Sequence, residues 1–174
     1  SGPGIIGILC AISARSRGAE VLVVGTEKDE QVRLSAAGEL GFRTLIVGQS
    51  HLPLHEQVEK QFPGGADALI EASGSPFALG DSWRSVRPDG VVTAVALYAR
   101  AIELDLTQFL RKQIDLRTSY ASSRADYNRA FELLRNGDVE SNILLSFYNL
   151  TEAEQGFADS ESLKVMKAMI NCQS

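Results

Sequence analysis

Short apolar runs separated by segments of helical period constrain this 174-residue chain more than any other feature. Val21-Leu22-Val23-Val24, Thr44-Leu45-Ile46-Val47, Ala68-Leu69-Ile70 and residues 91–97 are nearly continuous apolar stretches. Side chains alternate across a strand, so such a run is favourable only where both faces are covered. Residues 5–14, 30–40, 53–62, 76–86 and 106–112 fill the intervals and predict helices. Their ends carry suitable residues: Gly18 after the first, Asp29 before and Gly41 after the second, and Pro76 opening the fourth. Pro63-Gly64-Gly65 and Arg87-Pro88-Asp89-Gly90 are turns, and residues 114–119 read as a last strand of the series. Strands joined by helices run parallel. The expected class is therefore α/β, a doubly wound parallel sheet with helices on both faces.

The texture changes near Tyr120. Residues 124–135 predict an amphipathic helix with Tyr127, Ala130, Phe131 and Leu134 on one face, ended by Asn136-Gly137. Residues 143–148 alternate like a strand, Thr151 and Glu154 have capping-box spacing, and residues 163–169 read as a final strand. This C-terminal α+β segment, residues 121–174, breaks the alternation and is expected to form a different layer.

Gly2-Pro3-Gly4-Ile5-Ile6-Gly7 is a G-x-G-x-x-G that opens the first helix. In a dinucleotide-binding unit the first glycine permits the turn, the second admits a pyrophosphate, and the third lets the helix pack closely. With 15 glycines in the chain a bare match is weak. Its place before a helix, with the alternation downstream, points to a Rossmann fold that binds a nucleotide. The backbone of this loop would meet the diphosphate, and the helix dipole would add about 0.3–1 kcal/mol. The strand that feeds such a loop would lie before Ser1, so the sequence is expected to be part of a longer protein.

An acidic residue at the end of the second strand usually holds the ribose of NAD. Here Gly25 stands at that position. Its lack of a carboxylate forfeits a hydrogen bond worth about 1.5–3 kcal/mol. It also removes a repulsion toward a 2′-phosphate of about 4 kcal/mol at ~4 Å and an effective dielectric near ~20. Thr26 can donate, and Lys28 or Arg33 can supply a cation, whereas Glu27 works for NAD. The expected cofactor is NADP, with NAD possible. Ligands sit beyond the carboxyl ends of parallel strands, which adds Ala72, Ser73 and Gly74 and then Ala96 and Leu97 to the candidate site.

A formal charge of −5 argues against a nucleic-acid partner. The apolar stretch 5–14 is too short to span a membrane and is broken by Gly7, so no membrane partner is expected. Cys10 and Cys172 make neither a metal spacing nor a disulfide framework, which fits a cytoplasmic protein. His51 and His55 are four apart, but Pro53 lies between them and no further ligand is near. No catalytic constellation and no metal site is expected in this chain.

The runs S-G-P-G-I-I-G-I-L, R-G-A-E-V-L-V-V-G-T, A-A-G-E-L-G-F, A-L-I-E-A-S-G-S-P, R-P-D-G-V-V-T-A-V-A-L and A-F-E-L-L-R-N-G-D-V follow one another in order. Together they resemble the zinc-containing medium-chain dehydrogenases, which include alcohol, sorbitol and threonine dehydrogenases. The resemblance implies an NAD(P)-binding domain in residues 1–120 and a return to an absent catalytic domain in residues 121–174. Gly2, Gly4 and Gly7 then match the pyrophosphate loop, with Ile5 and Ile6 donating through their backbone. Gly25 and Thr26 match the ribose position, and Val95, Ala96, Leu97, Ser119 and Tyr120 match segments that meet the nicotinamide amide. Lys164 matches a late basic residue that reaches the pyrophosphate. Ala96 departs from the glycine common there. The resemblance puts zinc, its ligands and the proton relay in a preceding domain. It makes the full enzyme a homo-oligomer, joined through a sheet edge near residues 91–102. That enzyme would move a hydride between the nicotinamide and a small secondary alcohol or ketone. Two other readings are a free-standing NAD(P)-sensing module and a methyltransferase, the latter disfavoured by Gly25.

Overall fold

The computed structural model describes residues 1–173. The chain forms two compact units, Ser1–Gly2 with Val47–Ala121, and Pro3–Ile46 with the residues from Ser122 onward.

In the first unit, β3 (Ala66–Glu71), β4 (Val86–Ala94) and β5 (Asp115–Thr118) form a parallel sheet in the order β3-β4-β5. Helices α3 (Leu54–Gln61), α4 (Pro76–Ser82) and α5 (Leu106–Arg111) connect or precede the strands. Leu79, Trp83, Val86, Val92, Ala94 and Phe109 make the core, with the Trp83 and Phe109 rings 5.2 Å apart. Lys112 Nζ donates to the carbonyls of Arg84 and Val86 at 2.7 and 2.8 Å. These bonds satisfy acceptors at the entry to β4.

Two expectations change in this unit. The turn at Arg87-Pro88-Asp89-Gly90 lies inside β4 as a bulge, because the register passes from Ala66↔Val86 directly to Ala68↔Val91. Asp89 there takes φ 58°, with its N–H bonded to the Lys112 carbonyl. In addition, β4 lies between two strands, so residues 91–94 are not a sheet edge; β5 is one. Ser1 lies beside β3, its nitrogen donating to the Ile70 carbonyl and its carbonyl accepting from Ala72 N–H. That is the bonding pattern of a parallel neighbour opposite Glu71.

In the second unit, α1 (Ile5–Arg15) buries Ile8, Ala11 and Ile12 and ends before Gly18, which takes φ 85°. It packs with Val23 of β1 (Leu22–Thr26), with Leu34, and with Ala37 of α2 (Ser35–Glu39). Leu40 and Phe42, which lead into β2 (Arg43–Val47), complete this face. The helix expected over 30–40 is two pieces, a wide π turn at Glu30–Leu34 and then α2, and a tight turn at Glu27–Asp29 precedes them. Thr26 is the cap, and Asp29 is the partner at the third position of the capping box.

The C-terminal elements are α6 (Arg124–Arg135), α7 (Ser141–Leu144), β6 (Ser146–Asn149), α8 (Ala153–Glu161) and β7 (Ala168–Asn171), with β6 and β7 parallel. The strand expected from 143 begins at 146, because Leu144 belongs to α7 and is buried with Ile8, Ile12 and Val23. Part of this segment therefore shares the α1 core, and the separate layer expected for it is not formed there. The capping box uses Asn149 and Glu152 in place of Thr151 and Glu154, since β6 ends at Asn149. The final strand starts at Ala168, after Leu163 closes α8 with φ 58°. None of the α6 residues is buried.

Candidate coenzyme site

In the second unit the loop leads directly into α1. Gly4 is the N-cap, at φ −67° and ψ 176°, and no side chain caps the helix. The first turn holds no acidic residue. The first helical bond runs from Ile8 N–H to the Gly4 carbonyl at 3.0 Å. The N–H groups of Ile5, Ile6 and Gly7 precede that bond, so they have no acceptor within the helix. A Cβ at Gly4 would meet nothing within 4 Å. Neither backbone conformation nor packing within the chain requires glycine there, and the space beside Gly4 at the uncapped helix start is open. An anion fits this arrangement.

Gly25 differs. It is buried, and a Cβ there would lie 2.8 Å from Pro3 Cγ and 3.2 Å from Asp29 Cβ and Leu34 Cδ1. The acid expected at this strand end is absent because the loop proline occupies its place. Asp29 is the carboxylate that the cofactor argument missed. Its Oδ2 accepts from Thr26 N–H and Oγ1 at 2.9 and 2.8 Å, and its Oδ1 accepts from Arg33 Nη1 at 3.0 Å. Burial pushes the Asp29 carboxyl up, but the bonds from Thr26 and Arg33 outweigh it and hold it below its ordinary range. Thr26 and Arg33 are thus committed to a neighbour, while Glu27 and Lys28 stand exposed. Lys164, also in this unit, pairs with Asp159 at 3.5 Å.

In the first unit, the loops after β3 and β4 are tied together. Glu71 is fully buried and accepts from Ser73 N–H at 2.9 Å, from Ser73 Oγ and from the Tyr98 hydroxyl. Val95 N–H donates to the Glu71 carbonyl at 3.0 Å. Gly74 takes φ 71°, and a Cβ there would lie 2.8 Å from the Leu97 carbonyl oxygen. The structure thus brings Ala72, Ser73 and Gly74 against Val95, Ala96 and Leu97. Ser119 joins them through its N–H bond to the Ala94 carbonyl, while Tyr120 is exposed. Gly2 is held by this group as well, since its φ is 88° and a Cβ would lie 2.5 Å from Ser73 N. Glu71 and Tyr98 escaped the sequence reading; the one available signal was an acid following the apolar run Ala68-Leu69-Ile70.

Among the described residues no three His, Cys, Asp or Glu side chains cluster as a metal site requires. His51 precedes α3 and His55 lies within it, so the two do not share a helix face. The described residues offer no ligand set that fits zinc. Among the described residues no helix is long and apolar enough to cross a membrane.

The zinc-binding dehydrogenase family model matches residues 6–136. Sorbitol dehydrogenase of Halalkalibacterium halodurans is 30% identical over 173 residues, covering 98% of this chain and 50% of that protein. The 2R,3R-butanediol dehydrogenase of Bacillus subtilis superposes with a TM-score of 0.87 at 20% identity, over 98% of this chain and 49% of that one. A short chain alcohol dehydrogenase of Escherichia coli, solved with NADH, superposes with a TM-score of 0.81 at 16% identity, over 97% and 49%. The chain belongs to the zinc-binding dehydrogenase family. Its fold is the α/β, Rossmann type of these alcohol dehydrogenase domains. The chain spans about half the length of the curated relatives it matches.

Proposed function

We propose that this chain is the coenzyme-binding part of an NAD(P)-dependent, zinc-type alcohol or polyol dehydrogenase. One observation carries the reading: Gly4 leaves open space before an uncapped eleven-residue helix, where the chain itself has no need of glycine. The coenzyme's diphosphate would sit there, held by the N–H groups of Ile5, Ile6 and Gly7 and by the helix dipole. When bound, the nicotinamide supplies hydride transfer. This chain's residues bind and orient it: the end of β1 meets a ribose, and the resemblance gives the backbone of 95–97 the nicotinamide end, with Ser73 and Gly74 near the coenzyme. The names of the sorbitol dehydrogenase relative and of the NADH-bound neighbour support a small alcohol or polyol as substrate.

The sequence favours NADP, whereas the geometry at β1 supports NAD. Thr26 and Arg33 are held by Asp29, so a 2′-phosphate would have to compete with a buried carboxylate for both donors. Calorimetric titration with NADH and NADPH tests the proposal. Binding of NADH, more tightly than NADPH, is the expected result; a folded chain that takes up neither at millimolar concentration refutes it.

A further inference from the structure

We propose that Glu71 is a positioning residue for the nicotinamide end of the coenzyme, acting through a clamp that ties the loop after β3 to the loop after β4. The proposal rests on the coenzyme reading above. Glu71 closes a strand whose preceding residues are mostly apolar, and its side chain is shut off from solvent. An ionised carboxylate can only accept. Three donors converge on this one: Ser73 N–H, Ser73 Oγ and the Tyr98 hydroxyl. Tyr98 is 27 residues away in sequence, so the clamp adds a side-chain tie between two loops whose strands are paired at Glu71 and Ala94.

Backbone contacts between the same loops depend on that register. Val95 N–H reaches the Glu71 carbonyl, and Gly74 lies so close to the Leu97 carbonyl that no Cβ fits. Burying a charge is a poor means of stabilising a fold, because an apolar pair of similar volume serves as well or better. A charged clamp does specify one arrangement, since each donor must point at it. It does so at the carboxyl ends of parallel strands, where α/β folds hold their ligands. Burial, the hydrogen bond to Glu71 and the Glu71 charge push the Tyr98 hydroxyl further up, which keeps it a donor well above neutral pH.

The test titrates the chain and its Y98F, E71Q and Y98F/E71Q variants with NADH and with ADP-ribose, which lacks the nicotinamide. Thermal melting and the fluorescence rise of bound NADH are recorded alongside. Each single variant is expected to bind NADH about tenfold more weakly, from the loss of one charged hydrogen bond's worth of order. The fluorescence rise shrinks, ADP-ribose binding changes less than about twofold, and the double variant is no weaker than the weaker single one. Unchanged NADH affinity and fluorescence in both single variants overturn the clamp. Equal losses for NADH and ADP-ribose, in step with a lower melting temperature, overturn it too by showing a structural role alone. A wild-type chain that binds neither compound refutes the coenzyme reading and the clamp with it.

Discussion

Substituting Gly4 by alanine separates a glycine kept for a ligand from glycines kept for packing. At Gly4 the φ of −67° suits alanine, and the new methyl meets nothing within 4 Å. Lower entropy of the unfolded chain contributes about 0.4–1 kcal/mol, while a weaker N-cap costs about 0.5–1 kcal/mol. The two cancel, so the melting temperature should stay within about 2–4 °C of the parent. Binding should fall sharply, because the methyl stands where a diphosphate must approach the N–H groups. Loss of one hydrogen bond to a charged group, about 1.5–3 kcal/mol, weakens NADH by roughly 10- to 150-fold. Gly65 is the control: at φ 100° its Cβ would lie 2.8 Å from Arg87 N. Left-handed strain of about 1–2 kcal/mol and overpacking of about 1–3 kcal/mol should lower the melting temperature of G65A, with NADH affinity kept. Calorimetry and thermal melts on both variants decide the matter. If G4A binds NADH like the parent, the open space before α1 is not the diphosphate site.

Three further outcomes are expected. G25A should lose about 1–3 kcal/mol from contact with Pro3 Cγ, measured by denaturant unfolding, and lose NADH affinity as well because the proline belongs to the loop. Asp29 has a folded pKa below its unfolded one, so its stabilisation is present above about pH 4 and lost as pH falls through the folded value. D29N should therefore flatten the acid side of a melting temperature against pH curve; an unchanged slope refutes the Thr26–Asp29–Arg33 network. Burial pushes the Cys10 thiol up, so a thiol reagent should modify exposed Cys172 well before Cys10, and equal rates would contradict the packing of α1.

Strand and helix order was legible because apolar period is a local property: four residues such as Val21 to Val24 declare a strand buried on both faces. Helix ends were less so. Asn149-x-x-Glu152 and Thr151-x-x-Glu154 both satisfy the capping rule, and only the end of β6 selects the first. Asp29 was legible as a helix-start residue, but not as the acceptor that holds Thr26 and Arg33.

The amino-acid order alone thus determined the α/β class, the glycine loop before a helix, and the likeness to a dehydrogenase family. Tertiary structure decided that Gly25 is glycine because Pro3 fills its side-chain space, that Leu144 joins the core of Ile8 and Ile12, and that Glu71 binds Tyr98. Each of these joins residues more than twenty positions apart. Close packing and hydrogen-bond direction act through space between such partners, and no local periodicity records them.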